Sequence, residues 1–377
     1  MALSSFAQTA GEPRVHDFRV VDPGEVPDWD QRLLAHPDAT IFHSAAWAGV
    51  LRQAYGFSAH YVVQENRGER VALLPLMETR GLLGTRRGIS LPFTDSAPML
   101  LPSGDSAEEI SWKGNNVPES GPNTSAGLVA QARRLGRTRS WRSIEFRPAG
   151  RSGASGSASV RFLSHEVSLQ PSEAAQRDLC LPATRRTLRQ AQSSPLTVTV
   201  GTDRSFISAY YRLHCETRRR QGAPPQPFAF FLALERQLLA RNLGFVVLAI
   251  QGARPVAGAV FLKFGRRAVY KFGASDTSSL AFRPNQLVMW TGLRHAAELG
   301  CTSLDFGRTS MDNLGLRQFK MGWGAVESHL AYQCYDIQTG QRVFLGDRTH
   351  GWQSRLFGRL PVWAGRLAGT FLYRFAA

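Results

Sequence analysis

The alternation of apolar and polar residues divides the chain into short strands interleaved with helices of ordinary length. A period-two run at 18–21 predicts a strand, and a helix is expected over 26–35. Ser44 stands where a cap belongs, ahead of Trp47, Val50 and Leu51 at helical spacing. Two apolar runs, 60–64 and 71–77, flank Asn66-Arg67-Gly68-Glu69, a composition suited to a hairpin turn. Short strands are expected at 88–91 and 97–101. Residues 103–125 turn to Ser, Gly, Asn and Pro and read as a long loop. A helix at 126–137 and a strand at 143–147 close this half.

The second half repeats the alternation. A strand at 162–169 precedes a basic helix at 184–192 and a strand at 196–200. Asp203 caps a helix reaching about residue 219, and Pro224-Pro225 separates it from another at 227–241. Three strands follow, at 245–251, 256–264 and 268–274. Pro284 sits where the first helical position belongs, opening a helix over 285–299 that Gly300 ends. Strands are expected at 303–306 and 329–337. Hairpin-connected strands, then a helix, then a further strand predict a mixed α/β (α+β) sheet; a doubly wound parallel sheet would alternate more strictly. The related order in both halves predicts a duplicated domain. The expected organisation is a disordered tail at 1–15, a domain at 16–150, a Ser/Gly/Ala-rich linker at 151–159, a second domain at 160–340 and a basic amphipathic segment at 341–377.

Composition supports a folded chain. Of 377 residues, 43% are hydrophobic and 20% charged, enough to bury a core. The net charge of +16 is carried almost wholly by arginine, since Lys113, Lys263, Lys271 and Lys320 are the four lysines. Such a field draws in phosphates, tRNA or anionic headgroups, although a solvated surface explains any one arginine cluster equally well. Cys180, Cys215, Cys301 and Cys334 stand far apart and form no CxxC pair, which argues against a zinc site or a disulfide framework and suits a reducing compartment. Residues 1–14 lack the apolar core of a signal peptide, and no run of about 18 apolar residues exists to span a bilayer. A cytoplasmic protein is expected, in peripheral contact with the inner membrane if the basic segment docks there. Leu356, Phe357, Leu360, Trp363, Leu367 and Phe371 lie along that segment among four arginines; docking on anionic lipid and packing back on the protein are both open.

Chemistry concentrates at 305–324, where glycines, charges and aromatics follow a strand. Two readings stand: a reactive strand-end loop, or a tight loop in which Lys320 and Arg308 pair with Asp305 or Asp312. Asp305-Phe306-Gly307, a polar turn, then Gly315, Phe319-Lys320 and Trp323-Gly324 resemble the hallmark of FemAB-like proteins. Arg185-Arg186 with Leu188-Arg189, the stretch 213–218, Pro255–Gly258 and the segment from Pro284 to Asp305 resemble the related BioF2-like acetyltransferases.

The resemblance implies tandem GNAT-like (acyl-CoA N-acyltransferase) domains. It also implies transfer of an aminoacyl group from aminoacyl-tRNA, or an acyl group from acyl-CoA, to an amine on a small-molecule or lipid-linked cell-envelope precursor. No tightly bound cofactor, metal or DNA partner is expected. Lys320 would stabilise the tetrahedral intermediate, with Asp305 orienting it or accepting from the amine. Phe319, Tyr270 and Trp323 would shape the substrate pocket, and Arg308 and Arg317 would contact phosphate. Arg185, Arg186 and Arg189 would form a weak tRNA or phosphate stripe. Strand alternation predicts that only one of Tyr270 and Lys271 faces the cleft. The Gly-rich loop by which ordinary GNAT enzymes cradle the coenzyme A pyrophosphate is missing: the start of the 284 helix reads Ala281-Phe282-Arg283-Pro284-Asn285-Gln286. This favours aminoacyl-tRNA over acetyl-CoA. The alternatives are a CoA-dependent N-acyltransferase on an amino sugar or small amine, and a non-catalytic RNA- or membrane-binding protein of the same fold.

Overall fold

A computed structural model describes residues 17–66, 69–102, 124–148, 158–345 and 357–375. The expected tail, most of the 103–125 loop, most of the 151–159 linker and Leu356 lie outside the described residues.

In the first half, β1 (Asp17–Val21) leads to α1 (Trp29–Leu33) and α2 (Ala45–Tyr55), the latter capped by the Ser44 hydroxyl accepting from the Trp47 N–H at 3.0 Å. β2 (Ser58–Ala59), β3 (Tyr61–Asn66), β4 (Glu69–Leu74), β5 (Met77–Arg80) and β6 (Arg86–Ile89) follow. The apolar run expected as one strand at 71–77 is two. Pro75 lies between β4, which pairs with β3, and β5, which pairs with β2 and β6. The strand expected at 97–101 is reduced to single bridges at Ala97 and Leu100. α3 (Thr124–Thr138) and β7 (Trp141–Phe146) complete this half.

The second half runs β8 (Val160–Ser168), α4 (Glu173–Leu179), α5 (Pro182–Gln192), β9 (Thr197–Gly201), α6 (Arg204–Arg220) and α7 (Phe228–Gln237). β10 (Gly244–Gln251), β11 (Arg254–Phe264), β12 (Arg267–Ser275) and α8 (Pro284–Glu298) come next. β13 (Ser303–Ser310), α9 (Leu314–Gly322), β14 (Val326–Asp336) and α10 (Val362–Leu372) follow. The loop expected to follow the 303–306 strand is therefore partly regular: β13 continues to Ser310, and α9 begins at an Asn313 cap, whose side chain accepts from the Leu316 N–H at 3.1 Å. Its apolar residues were too few to show a periodic face in sequence.

One eleven-stranded sheet runs through both halves, in the order β2-β5-β6-β7-β14-β8-β13-β12-β11-β10-β9. β14 joins them, pairing with β7 on one side and β8 on the other. A three-stranded sheet, β1-β3-β4, stands apart. One core unites α2, α6 and α7 with one face of β10–β12, and a second lies between the opposite face and α8. The four cysteines are buried and unpaired.

Candidate active site

Two irregular strands open a wedge near the middle of this sheet. β12 and β13 pair in parallel over three residues, Arg267–Val269 against Ser303–Asp305, although both strands run further. Past Val269 and Asp305 they part. Each strand also carries a bulge at that level. In β12, Tyr270 lies opposite Phe261 and Phe272 opposite Val260, leaving Lys271 unmatched. In β13, Asp305 pairs with Glu166 and Arg308 with Ser164, so Phe306 and Gly307 together oppose His165.

The bulge in β12 answers the question of alternation. Tyr270 packs with Phe261 and Phe306 on the α8 side, while Lys271 and Phe272 both turn to the other core. Lys271 Nζ donates to the Phe93 carbonyl at 2.7 Å and lies 3.9 Å from Asp95 Oδ2. The rings of Phe42 and Trp47 are 5.1 and 5.6 Å from its ammonium.

Gly307 is gripped on three sides. Its N–H donates to Asp305 Oδ1 at 2.7 Å, and its carbonyl accepts from Lys320 Nζ at 2.7 Å. A Cβ here would stand 2.4 Å from Asp95 Oδ2, and the backbone has φ +70°, so only glycine suits the position. Lys320 also donates to the Arg308 carbonyl at 3.1 Å. An ammonium has three N–H groups; two are spent on this backbone, and one remains for another oxygen.

The facing wall comes from the first half. Leu91 and Phe93 both hold φ +59°, a conformation non-glycine residues seldom adopt. Arg147 stitches this segment together, donating to the carbonyls of Leu91 and Thr94 at 3.0 and 2.8 Å. The Tyr332 hydroxyl donates to the Asp95 carbonyl. Arg308 Nε stands 3.6 Å from Asp95 Oδ1, its guanidinium 4.4 Å from the centre of the Phe162 ring. Arg308 and Asp95 form the open rim of the wedge; Lys271 and Lys320 lie at its buried end.

This packing separates the titration of the two carboxylates. Burial raises the Asp305 carboxyl to about 6, reinforced by Asp95 and Glu166 against the Gly307 N–H and Lys320. Burial acts on Asp95 too, but Lys271, Arg308, Lys320 and Arg147 outweigh it and hold that group below the ordinary range. Burial lowers Lys320 to about 8 against the pull of Asp95 and Asp305. The result is one ionised carboxylate, one poised near neutrality and one cation that can lose its proton.

The sequence candidates fall into three groups. Lys320, Asp305 and Arg308 meet around Gly307. Phe319, Tyr270 and Trp323 pack against the core beneath α9 and β12, with Trp323 wholly buried. Arg317 forms a bidentate pair with Glu327 at 2.6 and 2.7 Å on the surface. Arg186 and Arg189 are exposed on α5, where Arg185 stands 3.9 Å from Asp178. Sequence reasoning passed over Asp95, Arg147, His165 and Tyr332. The trace of the first was a proline and a lone acid inside an apolar stretch, Leu91-Pro92-Phe93-Thr94-Asp95. Among the described residues no cluster of His, Cys, Asp and Glu is placed to hold a metal.

At the start of α8, Arg283 is the cap with φ +54°, Pro284 has no N–H, and the Gln286 N–H is taken by the Arg283 carbonyl. A turn of 3-10 helix, Thr277–Phe282, leads directly into it.

The parting parallel strands and mixed sheet define an acyltransferase-type fold of GNAT class. Residues 182–321 match the family model of an acetyltransferase (GNAT) domain. Over 79 residues the chain is 35% identical to the lipid II:glycine glycyltransferases of Staphylococcus saprophyticus and Staphylococcus aureus, a stretch covering 19% of this chain and 19% of each relative. The fold is similar to FemX, with TM-score 0.64 and 14% identity over 87% of this chain and 97% of that one. It is also similar to a tandem GNAT protein from the clavulanic acid biosynthesis pathway, with TM-score 0.51 and 13% identity over 85% and 98%. Residues 182–321 thus match a GNAT acetyltransferase domain, and the chain as a whole is similar in fold to FemX and to a tandem GNAT protein.

Proposed function

We propose that the protein transfers an aminoacyl group from aminoacyl-tRNA to the amine of a lipid-linked cell-envelope precursor. The observation that carries this reading is the juxtaposition of Asp305, on the Gly307 N–H, and Lys320, on the Gly307 carbonyl, inside a wedge between parting strands. The names of the staphylococcal relatives, lipid II:glycine glycyltransferases, supply the substrate class.

Asp305 accepts a proton from the amine nitrogen as it attacks the ester carbonyl, forming the C–N bond. The third N–H of Lys320 meets the oxygen that becomes negative. Collapse breaks the bond to the ribose oxygen, and Asp305 returns the proton to that leaving group. Asp95 keeps Lys320 and Lys271 charged during the cycle. No covalent enzyme intermediate is needed.

The donor assignment rests on the start of α8, Ala281-Phe282-Arg283-Pro284-Asn285-Gln286, which departs from the Gly-rich loop that cradles a pyrophosphate. A CoA-dependent N-acyltransferase is the second reading, favoured by the family model for residues 182–321. Purified protein is incubated with tRNA charged with a labelled amino acid and a lipid-linked pentapeptide amine. Label in the lipid fraction is the expected result. Label retained on tRNA, with thermal stabilisation by an acyl-CoA instead, replaces this reading with the second. Salt-sensitive RNA binding with no transfer from either donor makes the protein a non-catalytic binder.

A further inference from the structure

Helix α10 uses two faces differently. Val362, Gly365, Arg366, Gly369 and Tyr373 recur at helical spacing and meet the body of the protein. A Cβ at Gly369 would stand 2.0 Å from the Pro225 carbonyl oxygen, so the helix lies directly on that backbone. The Arg366 guanidinium covers the Tyr211 ring at 5.3 Å, and the Tyr373 hydroxyl donates to the Pro224 carbonyl at 3.3 Å. Packing on the protein thus accounts for one face.

The other face carries Trp363, Leu367 and Phe371, spaced four residues apart and exposed at 67%, 64% and 58%. Large apolar side chains in register on a docked helix are a different matter from scattered exposed ones. The charge around them has one sign. Between 357 and 375 the sequence has three arginines, Arg359, Arg366 and Arg374, and neither aspartate nor glutamate. All three arginines are exposed. An apolar ridge with a tryptophan at one end, bordered by cations alone, is complementary to an interface with hydrocarbon below and negative charge at its surface.

We infer that α10 is the docking face of the protein for an anionic lipid bilayer, with Trp363, Leu367 and Phe371 entering the headgroup layer and Arg359 and Arg374 meeting lipid phosphates. The inference is independent of the acyl-transfer reading. It also has a consequence for the wedge. The Tyr373 ring packs 5.5 Å from that of Phe93, and the Phe93 carbonyl holds Lys271. The docked helix is therefore in direct contact with one wall of the site.

The test uses the full chain and vesicles of phosphatidylcholine, alone or with phosphatidylglycerol added. Co-sedimentation with the anionic vesicles and not the neutral ones is expected. W363S/L367S/F371S, changing only exposed side chains, lowers the vesicle affinity at least about tenfold. R359Q/R374Q lowers it roughly 25-fold, at about fivefold for each arginine near an anionic surface. Brominated acyl chains quench part of the wild-type fluorescence, and W363F removes that part. Equal partition to neutral and anionic vesicles, no partition at all, or unchanged binding by the triple variant overturns the inference. So does a dimer by light scattering that the triple variant converts to monomer, because a second copy would then cover the ridge.

Discussion

The two walls of the wedge are built on different principles. The wall from the second half is a matter of backbone shape: Gly307 bulges from β13, and Asp305 and Lys320 hold its N–H and C=O. The wall from the first half is a matter of charge and strain. Leu91 and Phe93 are held in a left-handed conformation by Arg147 so that Asp95 projects toward three cations. Residues that shape a backbone leave a compact trace in sequence, because glycine and its clamps must sit at fixed offsets. Residues that merely supply a charge can come from anywhere in the chain.

Removing Lys320 breaks the first wall most severely. Lys320→Ala is expected to lower turnover by about 10²–10³-fold, the usual cost of losing a positioned donor to an oxyanion. It also orphans the carbonyls of Gly307 and Arg308, at about 1–3 kcal/mol of stability. Lys320→Arg retains a cation, so measuring both variants by transfer assay and thermal melt separates charge from shape. Turnover unaltered in Lys320→Ala would remove the lysine from the chemistry.

The pH profile distinguishes the two carboxylates. With Asp305 titrating at about 6, its base form accumulates as pH rises through that value, so the rate climbs there. Lys320, at about 8, loses its charge above that, and the rate falls. Asp305→Asn is expected to lower the maximum by roughly 10²-fold and to erase the acid limb. Asp95→Asn keeps both limbs but moves each downward, since the Asp95 charge helps raise Asp305 and is the larger carboxylate support of the Lys320 charge. An acid limb that survives in Asp305→Asn would assign the base elsewhere.

A third break acts where the two walls touch. Gly307→Ala forces a Cβ toward Asp95 Oδ2 and places alanine at φ +70°. The conformation alone costs about 1–2 kcal/mol, and the displaced carboxylate adds to it. A lowered melting temperature with at least about tenfold slower transfer is expected, more than a remote change of equal stability would produce. Normal transfer would mean the bulge can relax away from Asp95.

Much of the wall from the second half, and of the helices that flank the sheet, could be read from residue order. The strand into Asp305, Pro284 at the helix start, Gly300 beyond its end and the Asp203 and Ser44 caps all rest on local rules, and the structure agrees with each. Three things escaped. α9 lies inside an expected loop, because Leu314-Gly315-Leu316-Arg317 has too little apolar periodicity to announce a helix. The bulge at Lys271 broke the strict alternation of β12, placing Lys271 and Phe272 toward one core. Asp95 faces residues more than 170 positions away, and no local rule reaches that far.

Arg317 makes the finest test, because two roles for it predict different measurements. As a phosphate contact for the donor it would be free to turn into the cleft. Its guanidinium instead holds both oxygens of Glu327, which also meets His165 Nε2 at 3.0 Å. His165 is the residue opposite the bulge, and burial together with the Lys320 cation keeps its pKa below the ordinary value. Losing Arg317 leaves Glu327 to pair with His165 alone, a change on the outer side of β8. Exposed ion pairs contribute little, so Arg317→Ala should leave KM for the donor and the rate at neutral pH within about twofold. A tenfold rise in the donor KM with an unchanged rate constant would instead mean that the pair opens in the working complex and that the guanidinium meets the donor. The outer face of β8 would then belong to the site, and the wedge would have a third wall.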